Sequence, residues 1–424
     1  MPAEELIMFL HTDLSSISRG RAVTGKELQQ RLTTGVGWVP ANAALTPFGP
    51  VADPNPWGSA GDVRLLPDPE TEVQVRGLPG ASPLHFYQCD VVNLDGSGWP
   101  ACPRVFLKQV LEDFAEETGL QVVAAFEHEF YLRSAQAQAP HGPPFSLDAF
   151  RQADRFGPLL VGSLREAELE PEMFLPEYGH GQFEVTCLPA PALQAADRAV
   201  AVRAVVREVA RSAGLRATFT PVVDPALPAS GVHIHLSLQD SSGLPVTHDP
   251  AGSQGLSAVA AHFAAGVLED LPAICALSAP ATISYLRLTP HQWSASVARV
   301  AGDREAAIRL PGIGTGPGMA DPAEQFNLEF RFPDAAACPH LVLAILVRAG
   351  LEGIRDKRET IAGAEGHLPG SLEEAMRALT IDTTVRSWLP AELLSTYEAI
   401  KTAEMARLRE RTPLEACGEY LDIY

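Results

Sequence analysis

Four short stretches place acids, histidines or an arginine at alternate positions, with large apolar residues between them. They are Phe126-Glu127-His128-Glu129-Phe130, Gln182-Phe183-Glu184-Val185, Val232-His233-Ile234-His235-Leu236 and Leu328-Glu329-Phe330-Arg331-Phe332. Residues two apart on a β-strand point to the same face. Each stretch therefore offers one apolar face to a core and one ionisable face to something else. Together they predict a single sheet whose polar face carries Glu127, Glu129, Glu184, His233 and Glu329. Such donors suit hard divalent cations and, through them, a phosphate-bearing substrate.

A chain of 424 residues is long enough for a large core and two domains. Its formal charge of −20 argues against nucleic acid or an anionic membrane as the main partner. An anionic substrate stays compatible, because arginines and bound metal can reverse the field inside a pocket. Cys89, Cys102, Cys187, Cys275, Cys338 and Cys417 are scattered without a C-x-x-C pair, as expected for reduced, mostly buried thiols. The start, Met-Pro-Ala-Glu-Glu, has no basic segment or apolar run of a signal peptide, and no apolar stretch reaches transmembrane length. The expectation is a cytoplasmic enzyme that spans no membrane.

The patterning predicts an α+β chain in two parts. Strands at 5–12, 71–76 and 84–92, a helix at 26–33 and a Pro/Gly/Ala-rich loop over 35–61 suggest a small domain at 1–95. A larger one, 96–424, opens with an amphipathic helix at 104–118 stopped by Gly119. Further helices are expected at 147–169, 191–213, 254–269, 339–355, 371–379 and 390–410, and strands 216–223 and 231–238 as an antiparallel pair. Without strict βαβ alternation, an antiparallel sheet flanked by helices fits best.

Taken singly, the motifs have ordinary readings. Glu127 and Glu129 are equally a solvated strand face, and His233 and His235 equally one core and one surface histidine. Arg287, Arg304, Arg309 and Arg331 could simply pair with the surplus acids. Gly20-Arg21-Ala22-Val23-Thr24-Gly25-Lys26 has the spacing of a phosphate-binding P-loop, but Glu27 stands where Ser or Thr must hold magnesium, so it is set aside. The run Gly312–Gly318 lacks a strand–turn–helix setting and reads as a flexible loop, with closure over a site as one role open to it.

In order and spacing, however, the motifs resemble one family. Asp62-Val63-Arg64-Leu65-Leu66-Pro67-Asp68-Pro69-Glu70-Thr71 is followed by Glu127-His128-Glu129-Phe130, then by Glu177 with Gly181-Gln182-Phe183-Glu184. Ser230-Gly231-Val232-His233-Ile234-His235, Tyr285-Leu286-Arg287-Leu288, and Arg304 through Arg309-Leu310-Pro311 come next. Glu329-Phe330-Arg331-Phe332-Pro333-Asp334 and Ala349-Gly350-Leu351-Glu352-Gly353-Ile354 complete the series. Across nearly its whole length the chain resembles glutamine synthetase and its γ-glutamyl-amine relatives, particularly the γ-glutamylpolyamine type.

The resemblance implies a β-grasp N-terminal domain and a catalytic domain with a curved antiparallel sheet flanked by helices. It implies that Glu129, Glu177 and Glu184 hold one Mg²⁺ or Mn²⁺ and that Glu127, His233 and Glu329 hold a second. Arg304 would share in neutralising the transferred phosphoryl group of ATP, beside Glu129 and Glu329. Arg287 and Arg331, with Gly231, would bind the amino-acid substrate, and Arg309, His235 and Ser237 would face the nucleotide. The implied reaction joins glutamate to an amine through γ-glutamyl phosphate, in a homo-oligomer of stacked hexameric rings, a dodecamer.

Departures from the family pattern shape the rest of the expectation. Where ammonium-using members carry a glutamate, six residues after the arginine of Y-K-R-L, this chain has Trp293, and Pro56-Trp57-Gly58-Ser59 replaces D-G-S-S. A large apolar ring in place of a carboxylate points to an organic amine rather than ammonia. Glutamine synthesis from ammonia is the alternative within the family. Pro228-Ala229, Glu324 and Asn327, at positions the family fills differently, leave open a catalytically weak regulatory or binding protein on this fold.

Overall fold

The computed structural model describes residues 4–134, 142–359 and 366–424. Strands β1 (Leu6–Thr12), β2 (Ser18–Thr24), β3 (Val36–Trp38), β4 (Val63–Pro67), β5 (Val73–Val75) and β6 (Leu84–Val92) form the first sheet, accompanied by helix α1 (Leu28–Thr34). The strand order is β2-β1-β6-β4-β3, with β5 also on β6; β1 and β6 run parallel and the other pairs antiparallel. Most of the P-loop look-alike lies inside β2, hydrogen-bonded along β1, so it is a strand rather than a phosphate cradle. The 35–61 stretch, expected to be loop, contributes β3 at its start.

Then come α2 (Pro103–Thr118), β7 (Leu120–Phe126), β8 (His128–Arg133), α3 (Leu147–Arg151), α4 (Phe156–Glu166), β9 (Pro171–Pro176), β10 (Gln182–Cys187), β11 (Ala190–Pro191), α5 (Ala192–Ser212), β12 (Arg216–Thr218) and β13 (Ile234–Asp240). The chain continues through α6 (Ala258–Glu269), α7 (Leu271–Ser278), α8 (Ser284–Arg287), β14 (Val297–Ala301), β15 (Ala306–Arg309), α9 (Pro322–Gln325), β16 (Leu328–Phe330), α10 (Pro339–Asp356) and β17 (Gly366–His367). It closes with α11 (Leu372–Ile381), α12 (Thr383–Trp388), α13 (Ala391–Leu408) and α14 (Pro413–Tyr420). Gly119 ends α2 in the left-handed region, φ 71°, as its sequence predicts. The helix expected over 147–169 is two helices.

The four alternating stretches do not form the single sheet expected of them. β8 and β10 belong to a four-stranded antiparallel sheet, β12-β8-β10-β9; β13 and β16 belong to a seven-stranded one, β11-β7-β13-β16-β15-β14-β17, antiparallel except for β14–β15. The chain crosses between the sheets at Glu127, the residue between β7 and β8. There the Glu127 amide donates to the His233 carbonyl (3.0 Å) and the Glu129 amide to the Gly231 carbonyl (3.3 Å), so hydrogen bonding carries across the joint. The expected pairing of 216–223 with 231–238 is also overturned: β12 pairs with β8, and β13 with β7 and β16. Alternation marks a strand but does not name its neighbour.

The core of the larger part is built around α10, whose residues from Pro339 to Val347 are all buried. It crosses α6 at glycines: a Cβ on Gly353 would stand 2.2 Å from the His262 carbonyl oxygen, so only glycine allows this approach. Buried Arg104 on α2 ties the two parts together. Its guanidinium donates to Asp68 (2.8 Å) and Asp90 (2.7 Å) of the N-terminal part and, by two bonds of 2.9 Å, to Asp197 on α5. At the C-terminal end the Lys401 ammonium donates to Glu404 (2.8 Å) and the Pro280 carbonyl (2.9 Å), and Glu404 also accepts from the Tyr420 hydroxyl. Among the described residues no single helix is long and apolar enough to cross a membrane.

Candidate active site

The site forms where the two sheets meet. In the seven-stranded sheet, Arg309 on β15 stands directly opposite Glu329 on β16, and Glu329 directly opposite His235 on β13. Opposed residues share a face, so the three form one row. In the four-stranded sheet, Glu184 on β10 stands opposite Glu129 on β8, and Glu177 begins the turn between β9 and β10. Glu127 sits at the joint.

Hydrogen bonds set the charge state of this face. Glu127 bonds His233 Nδ1 at 3.0 Å and lies 2.9 Å from His235 Nε2. Burial alone would raise the Glu127 carboxyl, but the two histidines outweigh it and hold it well below the carboxylate range. Burial likewise works against a charged His235, yet Glu127, Glu329 and Asn327 lift it to about 9, making it a cation at neutral pH. Its Nδ1 lies 2.9 Å from Asn327 Oδ1. His233 goes the other way, lowered by burial and the nearby Arg331 guanidinium against the pull of Glu127 and Glu329. Glu329 is buried and bonded to Arg309 (2.6 Å) and Arg331; burial works to raise its carboxyl, but His233, Arg331 and His235 outweigh that and hold it low.

In the second set of acids burial outweighs the nearby cations. Burial, opposed by the Gly231 amide and Arg287, pushes Glu129 up to about 7; burial and Glu129 push Glu177 to about 7. Glu184 reaches about 10, from burial first and then Glu127, Glu129, Glu177 and Glu329. Carboxyl groups crowded this way are relieved as anions only by a strong local positive charge. Ligand atoms of Glu127, His233 and Glu329 all come within 4.8 Å of one another, close enough to share one ion. Carboxylates with one imidazole are the donor set that Mg²⁺ or Mn²⁺ takes. The residues present fit such a cation.

The remaining expected residues fall around this face. Gly231 donates its amide to Glu129 Oε2 (3.0 Å), and a Cβ there would lie 3.0 Å from His233 Nε2 and 3.2 Å from Arg287. Ser237 follows His235 two positions along β13. Arg304 is exposed near Glu177, and its carbonyl accepts from Arg331 Nε at 3.2 Å. Arg287 is buried with its terminal nitrogens donating to the carbonyls of Arg331, Phe332 and Pro333. Arg331 also reaches the Trp293 carbonyl at 2.8 Å. Both arginines thus brace the site's own backbone. The Gly312–Gly318 run is irregular, as expected, and Gln325 on α9 holds it through both the Gly314 amide (2.9 Å) and its carbonyl (3.0 Å).

Trp293 is 55% exposed at the edge of this face, with its backbone in the left-handed region at φ 52°. Glu305, which sequence reasoning missed, fixes its loop: the carboxylate accepts from the amides of His291 (3.3 Å) and Trp293 (3.1 Å) and from the Ser296 hydroxyl (2.6 Å). Tyr178 was missed as well. Its ring meets Trp293 perpendicularly, with centroids 5.2 Å apart. Its place directly after Glu177 was the only signal available.

An α+β body with acids, histidines and arginines converging at a sheet junction defines a metal-assisted enzyme of phosphoryl chemistry. The family description "Glutamine synthetase, catalytic domain" matches residues 100–417, and "Glutamine synthetase N-terminal domain" matches 2–99. The γ-glutamylpolyamine synthetase GlnA3 of Streptomyces coelicolor is 31% identical over 94% of this chain and 89% of its own. A glutamine synthetase of Pyrococcus abyssi is 28% identical over 91% of this chain and 87% of its own. A crystal structure described as a novel glutamine synthase homolog superposes with a TM-score of 0.96 at 45% identity, over 100% of this chain and 99% of that one. The chain belongs to the glutamine synthetase family. It is an ATP-dependent ligase that forms C–N bonds, and the family works with Mg²⁺ or Mn²⁺.

Proposed function

We propose that the enzyme joins glutamate to an organic amine, giving a γ-glutamyl amide. The observation that carries this reading is Trp293, an exposed indole beside the acidic face where a carboxylate would favour ammonium. The likeness to a γ-glutamylpolyamine synthetase supports it, although glutamine synthetases match almost as well.

In this reading the γ-carboxylate oxygen of glutamate bonds to the γ-phosphorus of ATP as the bond to ADP breaks. An amine that arrives as its ammonium ion first gives up one proton; its nitrogen then attacks the acyl carbon, phosphate leaves, and the nitrogen gives up a second proton. Divalent cations, held by Glu129, Glu177 and Glu184 and by Glu127, His233 and Glu329, would supply the positive charge that lets these anions approach. Arg304, exposed beside Glu177, adds to that charge at the transferred phosphoryl group. Arg287 and Arg331 are the proposed forks for the amino acid's carboxylates, and the Nε of Arg287 is a buried donor with no acceptor among the described residues. Gly231 leaves room for the substrate beside them. Arg309, His235 and Ser237 form the nucleotide side. Residues 1–95 and 96–424 act as two domains, and the working form is a homo-oligomer, a dodecamer by its resemblance to the family.

The test is phosphate release with ATP, Mg²⁺ and glutamate across a panel of amines. Some organic amine should stimulate it more than ammonium does. Equal or greater stimulation by ammonium returns the chain to ordinary glutamine synthesis.

A further inference from the structure

Trp293 does not stand alone. Tyr178 is 47% exposed and Phe145 49%, and each belongs to a different segment: Phe145 precedes α3, Tyr178 lies between β9 and β10, and Trp293 between α8 and β14. The rings form a continuous line, Phe145 to Tyr178 at 4.8 Å and 89°, Tyr178 to Trp293 at 5.2 Å and 85°. Large rings left in solvent gain little from burial, and a bulky residue at positive φ is strained. Yet Phe145 (φ 58°), His291 (φ 67°) and Trp293 (φ 52°) all occupy that region. Backbone held this way collects where a ligand is gripped. At the Tyr178 ring the line meets a cavity of about 220 Å³ among the described residues, lined by Pro144, Glu177, Tyr178, Gln182 and Phe183. At about 30 Å³ per water, it has room for several atoms of a chain-like ligand.

Perpendicular rings present faces at right angles, and each face carries the negative side of the ring quadrupole. A primary alkylamine is an ammonium ion at neutral pH, like the lysine side chain. Such a cation with an apolar body matches ring faces set next to the carboxyl of Glu177, whereas a neutral arylamine would use only the stacking surface. We propose that Tyr178 is a specificity-determining residue which, with Trp293, receives an alkylammonium acceptor by cation–π and apolar contact, the alkyl body reaching the cavity at Tyr178. This rests on the amide-ligase reading.

The experiment uses n-butylamine as acceptor, with Tyr178→Leu and Tyr178→Phe beside the wild type. Loss of the ring should raise the KM for butylamine roughly two- to thirty-fold, the range of one cation–π contact, with the loss read in KM rather than kcat. The KM values for ATP and glutamate should hold, and Tyr178→Phe should stay close to wild type. Tetramethylammonium should compete with butylamine, and tert-butanol, its uncharged counterpart, should not. An unchanged butylamine KM in Tyr178→Leu, a parallel loss in every parameter, or equal competition by tert-butanol each overturns the proposal. If no amine at all stimulates phosphate release, the ligase reading fails and takes this one with it. If other amines work and butylamine does not, only this proposal falls.

Discussion

Replacing Glu184 by glutamine measures the electrostatic tension that the site stores for a cation. Glu184 is buried, and its carboxyl is pushed from an ordinary 4.5 up to about 10 by burial and by Glu127, Glu129, Glu177 and Glu329. Between those two values the folded protein binds a proton that the unfolded chain has released. Metal-free stability therefore falls as pH rises through that window, and the penalty is absent below it. At pH 7, 2.5 units above the unfolded value at 1.36 kcal/mol per unit, the cost is about 3 kcal/mol, and it requires only that the folded value exceed 7. Glutamine has the shape of the protonated acid without the cost. In EDTA at pH 7, Glu184→Gln should be about 3 kcal/mol more stable than wild type to urea, and at pH 5 by less than about 1 kcal/mol. In saturating Mg²⁺ the order should reverse, because the ion stabilises the form that binds it better. The reasoning fails if Glu184→Gln gains nothing in EDTA at pH 7, or if its gain is the same at both pH values.

Trp293→Glu should shift the ratio of kcat/KM for ammonium over butylamine toward ammonium by about tenfold, a change of about 1.4 kcal/mol, and an unmoved ratio removes Trp293 from the acceptor pocket. Glu329→Ala should abolish amide formation and weaken Mg²⁺ binding, measured by calorimetry; unaltered binding would move the second cation elsewhere. Lys401→Met leaves Glu404 charged and buried without its partner, and should cost about 3–5 kcal/mol in urea unfolding, much of it recovered by Lys401→Met with Glu404→Leu.

Much of the site was legible because strand alternation is a local property. Glu127, Glu129, Glu184, His233 and Glu329 could be assigned to a shared polar face from spacing, and the fold brings them together around the joint. Their division between two sheets was not legible, since the partner of a strand is chosen by distant packing. The same blindness gave β12 the wrong neighbour. Helices α7, α8, α9, α12 and α14 went unseen: α8 and α9 are single turns, and α7 is apolar all round and buried along most of its length, so it lacks the two-faced pattern that marks a surface helix. Arg287 and Arg331 were read as ligands for carboxylates, and only the fold reveals how much of their hydrogen bonding goes to the backbone. Tyr178 acts through Phe145 and Trp293, brought from far along the chain, and Glu305 through the fold of an irregular loop just before it, neither of which residue spacing reveals.

The crossing at Glu127 has a consequence for how this protein can change. With Glu129 opposite Glu184, and His235 opposite Glu329, all the donors depend on a counted number of residues from one hinge point. Exchanging Phe130 or Ile234 for another apolar residue leaves that count intact. Deleting His128 would bring Glu129 one place nearer the hinge, turn it into the core and set the Phe130 ring on the cation's side. Length is thus more tightly guarded here than identity, and variants gained by substitution should be far more numerous than any gained by insertion or loss.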